Sequence, residues 1–210
     1  MNDGSLSLLV ALTLLLLLWG EWFYSDLSRI GIKKKTVALF LIAWAFAGLI
    51  PFSYGKVEGS FALFLYPPTL YLLAKRIPKI RKFVLLANGL FLAAIYVLTE
   101  EVLYNDPILL IWEEPWMTSP WMGLLLFFFS SSYQERLLLL LLSSFFGEAM
   151  FFFDDGVEMG RISFFSAYQM DSFFLTLLFL SFFSLLMGRR ELIFFRKDRR
   201  KSEEGRGLES

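Results

Sequence analysis

Three carboxylates sit inside stretches that are otherwise apolar: Glu148, Asp171 and Glu21. An ionisable side chain near the centre of a membrane-spanning helix costs roughly 2.5–3.5 kcal/mol on insertion scales, so each needs a compensating role. Glu148 lies five residues before the end of one apolar block, and Asp171 lies seven residues into the next, beside Tyr168 and Gln169. Consecutive spans run antiparallel, which puts the two carboxylates at similar depth and allows them to face each other. Two like charges in a low-dielectric site push one pKa upward, a chemistry suited to sharing a proton or holding a cation. A second reading is a plain buried polar contact, with Glu148 hydrogen-bonded to Tyr168, Gln169 or the Ser143/Ser144 pair. Glu21, near the end of the first block, is explained more simply by pairing with Arg29 or by snorkelling to the interface.

Much other chemistry is excluded. The chain has no cysteine and no histidine. Thiolate catalysis, disulfides and the commonest metal ligands are therefore absent. Glu100-Glu101, at the end of an apolar block, resembles the paired glutamates of some intramembrane proteases. Those families add a basic residue shortly after the pair and histidines on other spans. Here Val102, Leu103, Tyr104, Asn105 and Asp106 follow. No Gly-rich phosphate loop, Ser/Lys or Ser/His dyad, or aspartate-rich cluster occurs. No cofactor, metal or catalytic residue is expected. The Gly156–Gly160 spacing matches a small-residue helix-pairing pattern but lies among charges, where that pattern has no meaning.

The elements that carry these residues follow from hydropathy. The chain has 210 residues, 57% apolar and 19% aromatic, well above a soluble average of roughly 45–50% apolar. The apolar residues fall in blocks of about 15 to 24 residues, near the roughly 17–25 that a helix needs to cross a bilayer. Seven spans are expected: Leu6–Phe23, Val37–Tyr54, Phe61–Ala74, Phe83–Thr99, about Trp121–Tyr133, Leu137–Phe153 and Phe164–Met187. The third is short and holds Pro67-Pro68, so it is either a kinked crossing or a re-entrant segment, which would leave six spans. Ala43, Ala47 and Gly48 in span two, with Gly89 and Ala93 in span four, allow close helix contact. Ile108–Trp112 is expected to lie in the interface. The turn Gln134–Arg136 and the acidic stretch Asp154–Arg161 are expected to be loops.

The basic residues set the orientation, because short loops rich in Lys and Arg stay cytoplasmic. Alternating the loops puts eighteen of the 20 basic residues on one side. They include Lys33, Lys34, Lys35, Lys75, Arg76, Lys79, Arg81, Lys82, Arg136, Arg189 and Arg190. Only Lys56 and Arg161 fall opposite. The N-terminus is thus expected outside and the C-terminus inside. The fold class is all-α, a polytopic transmembrane helix bundle over 1–187 with a basic, partly disordered cytoplasmic tail over 188–210. Part of that tail, Arg189–Lys201, has the pattern of an amphipathic helix on anionic lipid. The basic residues are accounted for by topology, so nucleic acid is not an expected partner; the lipid bilayer is, together with other membrane proteins or a second copy. The cytoplasmic membrane of a bacterium is the expected location. Three function classes stand: a non-enzymatic structural, assembly or regulatory component, a small proton- or cation-coupled transporter using Glu148 and Asp171, and a lipid-modifying enzyme.

Overall fold

The computed structural model describes residues 5–20, 33–54, 57–75, 77–106, 114–130, 132–158, 162–164, 169–184 and 186. Helix α1, Ser5–Trp19, is an almost uninterrupted leucine run that stops at Gly20. Helix α2, Lys34–Leu49, ends where Ile50 turns extended (φ −96°, ψ 101°) ahead of Pro51. A residue before proline is sterically pushed out of the helical region, which accounts for the stop. Span two was expected to run to Tyr54. Instead Pro51–Tyr54 forms strand β1, which pairs antiparallel with β2, Val57–Ser60.

A 3-10 helix, Phe61–Leu65, leads into α3, Tyr66–Ala74, with Pro67-Pro68 in its first turn. Prolines there lack only N–H groups that would have no intrahelical partner, so the pair starts a helix and does not break one. Helix α4, Lys79–Asn105, is the longest at 27 residues. Helix α5, Glu114–Phe129, starts earlier and ends sooner than the expected fifth span, and it carries Pro120 inside. Helix α6, Tyr133–Glu158, absorbs both flanking segments expected to be loops: Gln134–Arg136 becomes its first turn, and its last turns run through Asp154-Asp155. Strand β3, Ile162–Phe164, pairs parallel with β2 and completes a three-stranded sheet, so the chain is helical but not purely so. Helix α7 is Gln169–Ser184. Glu21, Arg29, Arg76, Ile108–Trp112, Tyr168, Arg189, Arg190 and the tail 188–210 lie outside the described residues.

Among the described residues, one helix is long and apolar enough to cross a membrane by itself, Lys79–Leu103, with mean hydropathy 1.9. Many large apolar side chains face outward, including Ile80, Phe83 and Phe128, each more than three-quarters exposed. Apolar surface spread this widely is costly in water and suits a hydrocarbon surrounding.

The most extensive contact joins α4 to α6. It is close because glycines face side chains across it: a Cβ built on Gly89 would stand 2.7 Å from Leu142 Cβ, and one on Gly147 would stand 2.9 Å from the Tyr96 ring. The core centres on Trp44, which is fully buried. It stacks on Phe173 with centroids 5.0 Å apart and meets Phe40 and Tyr66 edge-on at 4.8 Å.

Candidate functional site

Helix periodicity assembles a polar cavity in this otherwise greasy bundle. On α6, Leu140, Ser143, Ser144 and Glu148 fall on one face, at offsets of three, four and eight. On α7, Gln169, Ser172, Phe173 and Thr176 do the same at offsets of three, four and seven. Tyr66 from α3, Tyr96 from α4 and Met122 from α5 close the space, which holds about 20 Å³. That is room for one water-sized group. Glu148 is 4% exposed. Both Tyr66 and Tyr96 lie within electrostatic reach of its carboxylate, and Tyr96 also reaches Glu100, four residues further along α4, and Ser172 on α7. Gly147 sets the place of Tyr96, because any larger residue would collide with the ring. A confined carboxyl among two phenols, four hydroxyls from Ser143, Ser144, Ser172 and Thr176, and an amide can take up or release a proton, or hold one small polar group.

Asp171 is buried too, at 7% exposed, but it looks elsewhere. Its Oδ1 accepts the backbone N–H of Ser7 at 2.6 Å. Ser7 lies in the first turn of α1, where N–H groups have no intrahelical acceptor and the helix dipole is positive. Asp171 therefore caps another helix from inside the bundle. The reason for its separation from Glu148 is angular. Each helical residue advances about 100°, so Asp171 lies about 200° round α7 from Gln169, away from the cavity face. The expected face-to-face carboxylate pair is not what the geometry forms. The alternative company for Glu148, Gln169 with Ser143 and Ser144, is what lines its cavity.

Sequence reasoning missed Tyr66, Tyr96, Ser172 and Thr176 as polar cavity residues. The i, i+4 repeats Ser144/Glu148, Tyr96/Glu100 and Ser172/Thr176 were the available signal. A further polar hub at the other end of the bundle was read only as a tight loop. Three consecutive residues that open α6 each reach a different helix end. Gln134 Nε2 donates to Leu73 O at 2.6 Å, satisfying one of the last carbonyls of α3. Glu135 accepts two bonds from Arg81 of α4, at 2.9 Å from Nε and 2.8 Å from Nη2, and one from Ser130 Oγ at 2.6 Å. The bond to Arg81 holds the Glu135 carboxyl below the usual carboxylate range. Partial burial opposes this, and the Ser130 hydroxyl adds to it. The same bond pushes the Arg81 pKa up. Arg136 Nε donates to Ser130 O, just past α5, at 2.8 Å, and its guanidinium stands 3.6 Å over the Phe127 ring.

Of the basic residues expected at the membrane surface, Lys33, Lys35, Lys75, Lys79 and Arg81 are exposed, while Lys34 and Lys82 are half-buried. The starts of α2 and α4 and the end of α3, where these residues lie, meet the start of α6 and the end of α5 at one end of the bundle. Among the described residues no group of three His, Cys, Asp or Glu side chains could hold a metal ion.

No curated protein and no solved structure matches the chain. A family model described as YphA-like integral membrane protein matches residues 13–204, which takes in every element from α1 onward except its first two turns. The greasy outward surface, the glycine-mediated helix contacts and this match agree, and the chain belongs to the family of YphA-like integral membrane proteins.

Proposed function

We propose that the chain is a multi-pass, non-enzymatic component of a bacterial cytoplasmic membrane, working through helix contacts in a structural, assembly or regulatory role. In this reading α1–α7 carry the seven spans, the third formed by the 3-10 helix Phe61–Leu65 together with α3, with Arg81 and Glu135 at the cytoplasmic boundary, the N-terminus outside and the C-terminus in the cytoplasm. The observation that carries it is the use made of the buried carboxylate Asp171, whose Oδ1 sits 2.6 Å from Ser7 N and joins α7 to α1. A polar group spent on holding helices together is not available for turnover. The convergence of Lys33, Lys75, Lys79 and Arg81 on one end of the bundle supports the orientation. Reporter fusions after Asn105 and after Gly188 test it: the first is expected outside and the second inside. The same side for both overturns the topology.

A second reading, a small proton- or cation-coupled transporter, is favoured by one observation: the polar cavity around Glu148, connected through Tyr96 to Glu100. The two readings part on Glu148→Gln combined with Asp171→Ala. Loss of cellular abundance supports the structural reading. Unchanged abundance with lost proton or cation flux in proteoliposomes overturns it in favour of transport.

A further inference from the structure

The basic end of the bundle also contains a cavity of about 160 Å³, walled by α1, α2, α3, α6 and α7. Its wall is hydrocarbon, from residues such as Leu14, Phe40, Leu140 and Leu177. Three of the polar side chains there are turned to partners of their own. Thr69 Oγ1 donates to Leu65 O at 2.6 Å, and Tyr133 and Ser181 share a hydrogen bond at 3.1 Å. A cavity of roughly 150 Å³ lined by Leu, Ile and Phe stays dry and takes benzene, so this one has room for a hydrocarbon segment of about six carbons.

The mouth and the depth say what kind of hydrocarbon. Along α2 the lining runs from Thr36 through Val37, Phe40 and Leu41 to Trp44. Eight residues at 1.5 Å each make this about 12 Å, measured inward from the basic end. At that end the lining side chains Thr36 and Leu72 are themselves exposed, so the cavity opens sideways between the start of α2 and the end of α3. Lysines flank the opening on both helices. Lys33 and Lys35 lie within one turn of Thr36, Lys75 lies three residues past Leu72, and all three are exposed. The start of α2 also presents the positive end of its helix dipole. A greasy slot that begins at a basic rim and runs into the bundle matches one amphiphile: an acyl chain below a phosphate.

We propose that this slot binds one acyl chain of an anionic phospholipid, with its phosphate held by Lys33, Lys35 and Lys75. The slot shares the wall residues Leu140 and Phe173 with the Glu148 cavity but stands whichever reading of that cavity holds. It depends only on the chain lying in lipid.

The test is native mass spectrometry of the full chain released from detergent, titrated with dioleoylphosphatidylglycerol or with dioleoylphosphatidylcholine. One tightly held phosphatidylglycerol per chain is expected, binding at least tenfold more tightly than phosphatidylcholine. K33Q/K35Q/K75Q should lose that preference, and Leu177→Trp, which fills the slot and leaves the lysines, should lose the tight lipid. Equal affinity for the two lipids overturns the proposal. So does full retention by a folded Leu177→Trp, which would mean a headgroup site on the surface. If Leu177→Trp does not fold, the lysine variant decides alone, since its side chains are exposed, and undiminished binding there overturns the idea. Displacement of the lipid by soluble glycerol phosphate would show an anion site without a tail. A dimer mass that forms without lipid would show a second copy closing the mouth. Either result also overturns it.

Discussion

A single methyl group added at Gly89 should push α4 and α6 apart. The substituted Cβ would stand 2.7 Å from Leu142 Cβ. Carbon atoms rest about 3.5–4.0 Å apart, so the deficit is close to 1 Å. Leu142 cannot absorb it by changing rotamer, because the atom met is its own Cβ, fixed to the helix backbone. The helices must move. Overpacking of this kind costs roughly 1–3 kcal/mol. Against it stands the gain of replacing a mid-helix glycine by alanine, about 0.8–1.0 kcal/mol in water. The clash should win, leaving Gly89→Ala less stable by about 1 kcal/mol, measured by thermal unfolding of the purified protein in detergent. The source of the clash makes a sharper demand. Leu142→Ala keeps the offending Cβ and should not rescue Gly89→Ala, while Leu142→Gly removes it and should. The coupling in the Gly89/Leu142→Gly cycle is expected within the 0.5–3 kcal/mol range for residues in contact. Gly89→Ala at or above wild-type stability, or equal rescue by alanine and glycine at 142, would refute the reasoning.

Asp171→Ala should cost about 1.5–3 kcal/mol, the worth of a hydrogen bond to a charged group, and Asp171→Asn clearly less, because an acceptor for Ser7 N–H remains; the same thermal unfolding compares them. Arg81→Gln tests the pair at the start of α6. The Glu135 carboxyl is held below its free value of 4.5, so the pair stabilises fully above that pH and its contribution is lost as pH falls through the lower folded value. Stability of the wild type should therefore fall more steeply below about pH 4.5 than that of Arg81→Gln, by a small margin because the pair is solvent-screened. Arg136→Lys keeps the charge but loses the flat stacking on Phe127 and the fixed Nε donor, and a thermal unfolding loss of about 0.5–1 kcal/mol is expected.

How much of this was written in the sequence depends on the range of the interaction involved. The seven α-helices among the described residues were legible because each rests on a local apolar run, and the close contacts at Gly48 and Gly89 because small residues among large ones mark where backbones approach. The burial of Glu148 and Asp171 was legible from their apolar neighbours. Their partners were not. Equal depth in antiparallel spans suggested a pair, but depth fixes only one of two coordinates. The angular position on α7 sends Asp171 to α1, a partner 164 positions away. The sheet was invisible for the same reason. Strand β3 is three residues, its partner β2 lies about a hundred residues earlier, and neither shows alternation long enough to read. At Gln134–Arg136 three polar residues in a row between apolar runs looked like a loop. Their side chains instead satisfy neighbouring helix ends, which lets the helix begin there.

Helix length and the sheet are connected. Helices α4 and α6, with 27 and 26 residues, are each about 40 Å long, whereas α1 and α2, with 15 and 16, reach only about 22–24 Å. The starts of α2, α4 and α6 lie at the basic end, so α4 and α6 overshoot α2 at the opposite end. That is where α2 gives way to β1, where β3 packs against α6, and where β2 meets α2. A chain leaving a short helix at that level still needs partners for its backbone N–H and C=O groups. The hairpin β1–β2 and the parallel pairing of β3 supply them strand to strand. The sheet thus fills the height by which the long pair exceeds its neighbours. Packing along α7, with Gln169 on the cavity face and Asp171 turned to Ser7, sets the two buried carboxylates apart.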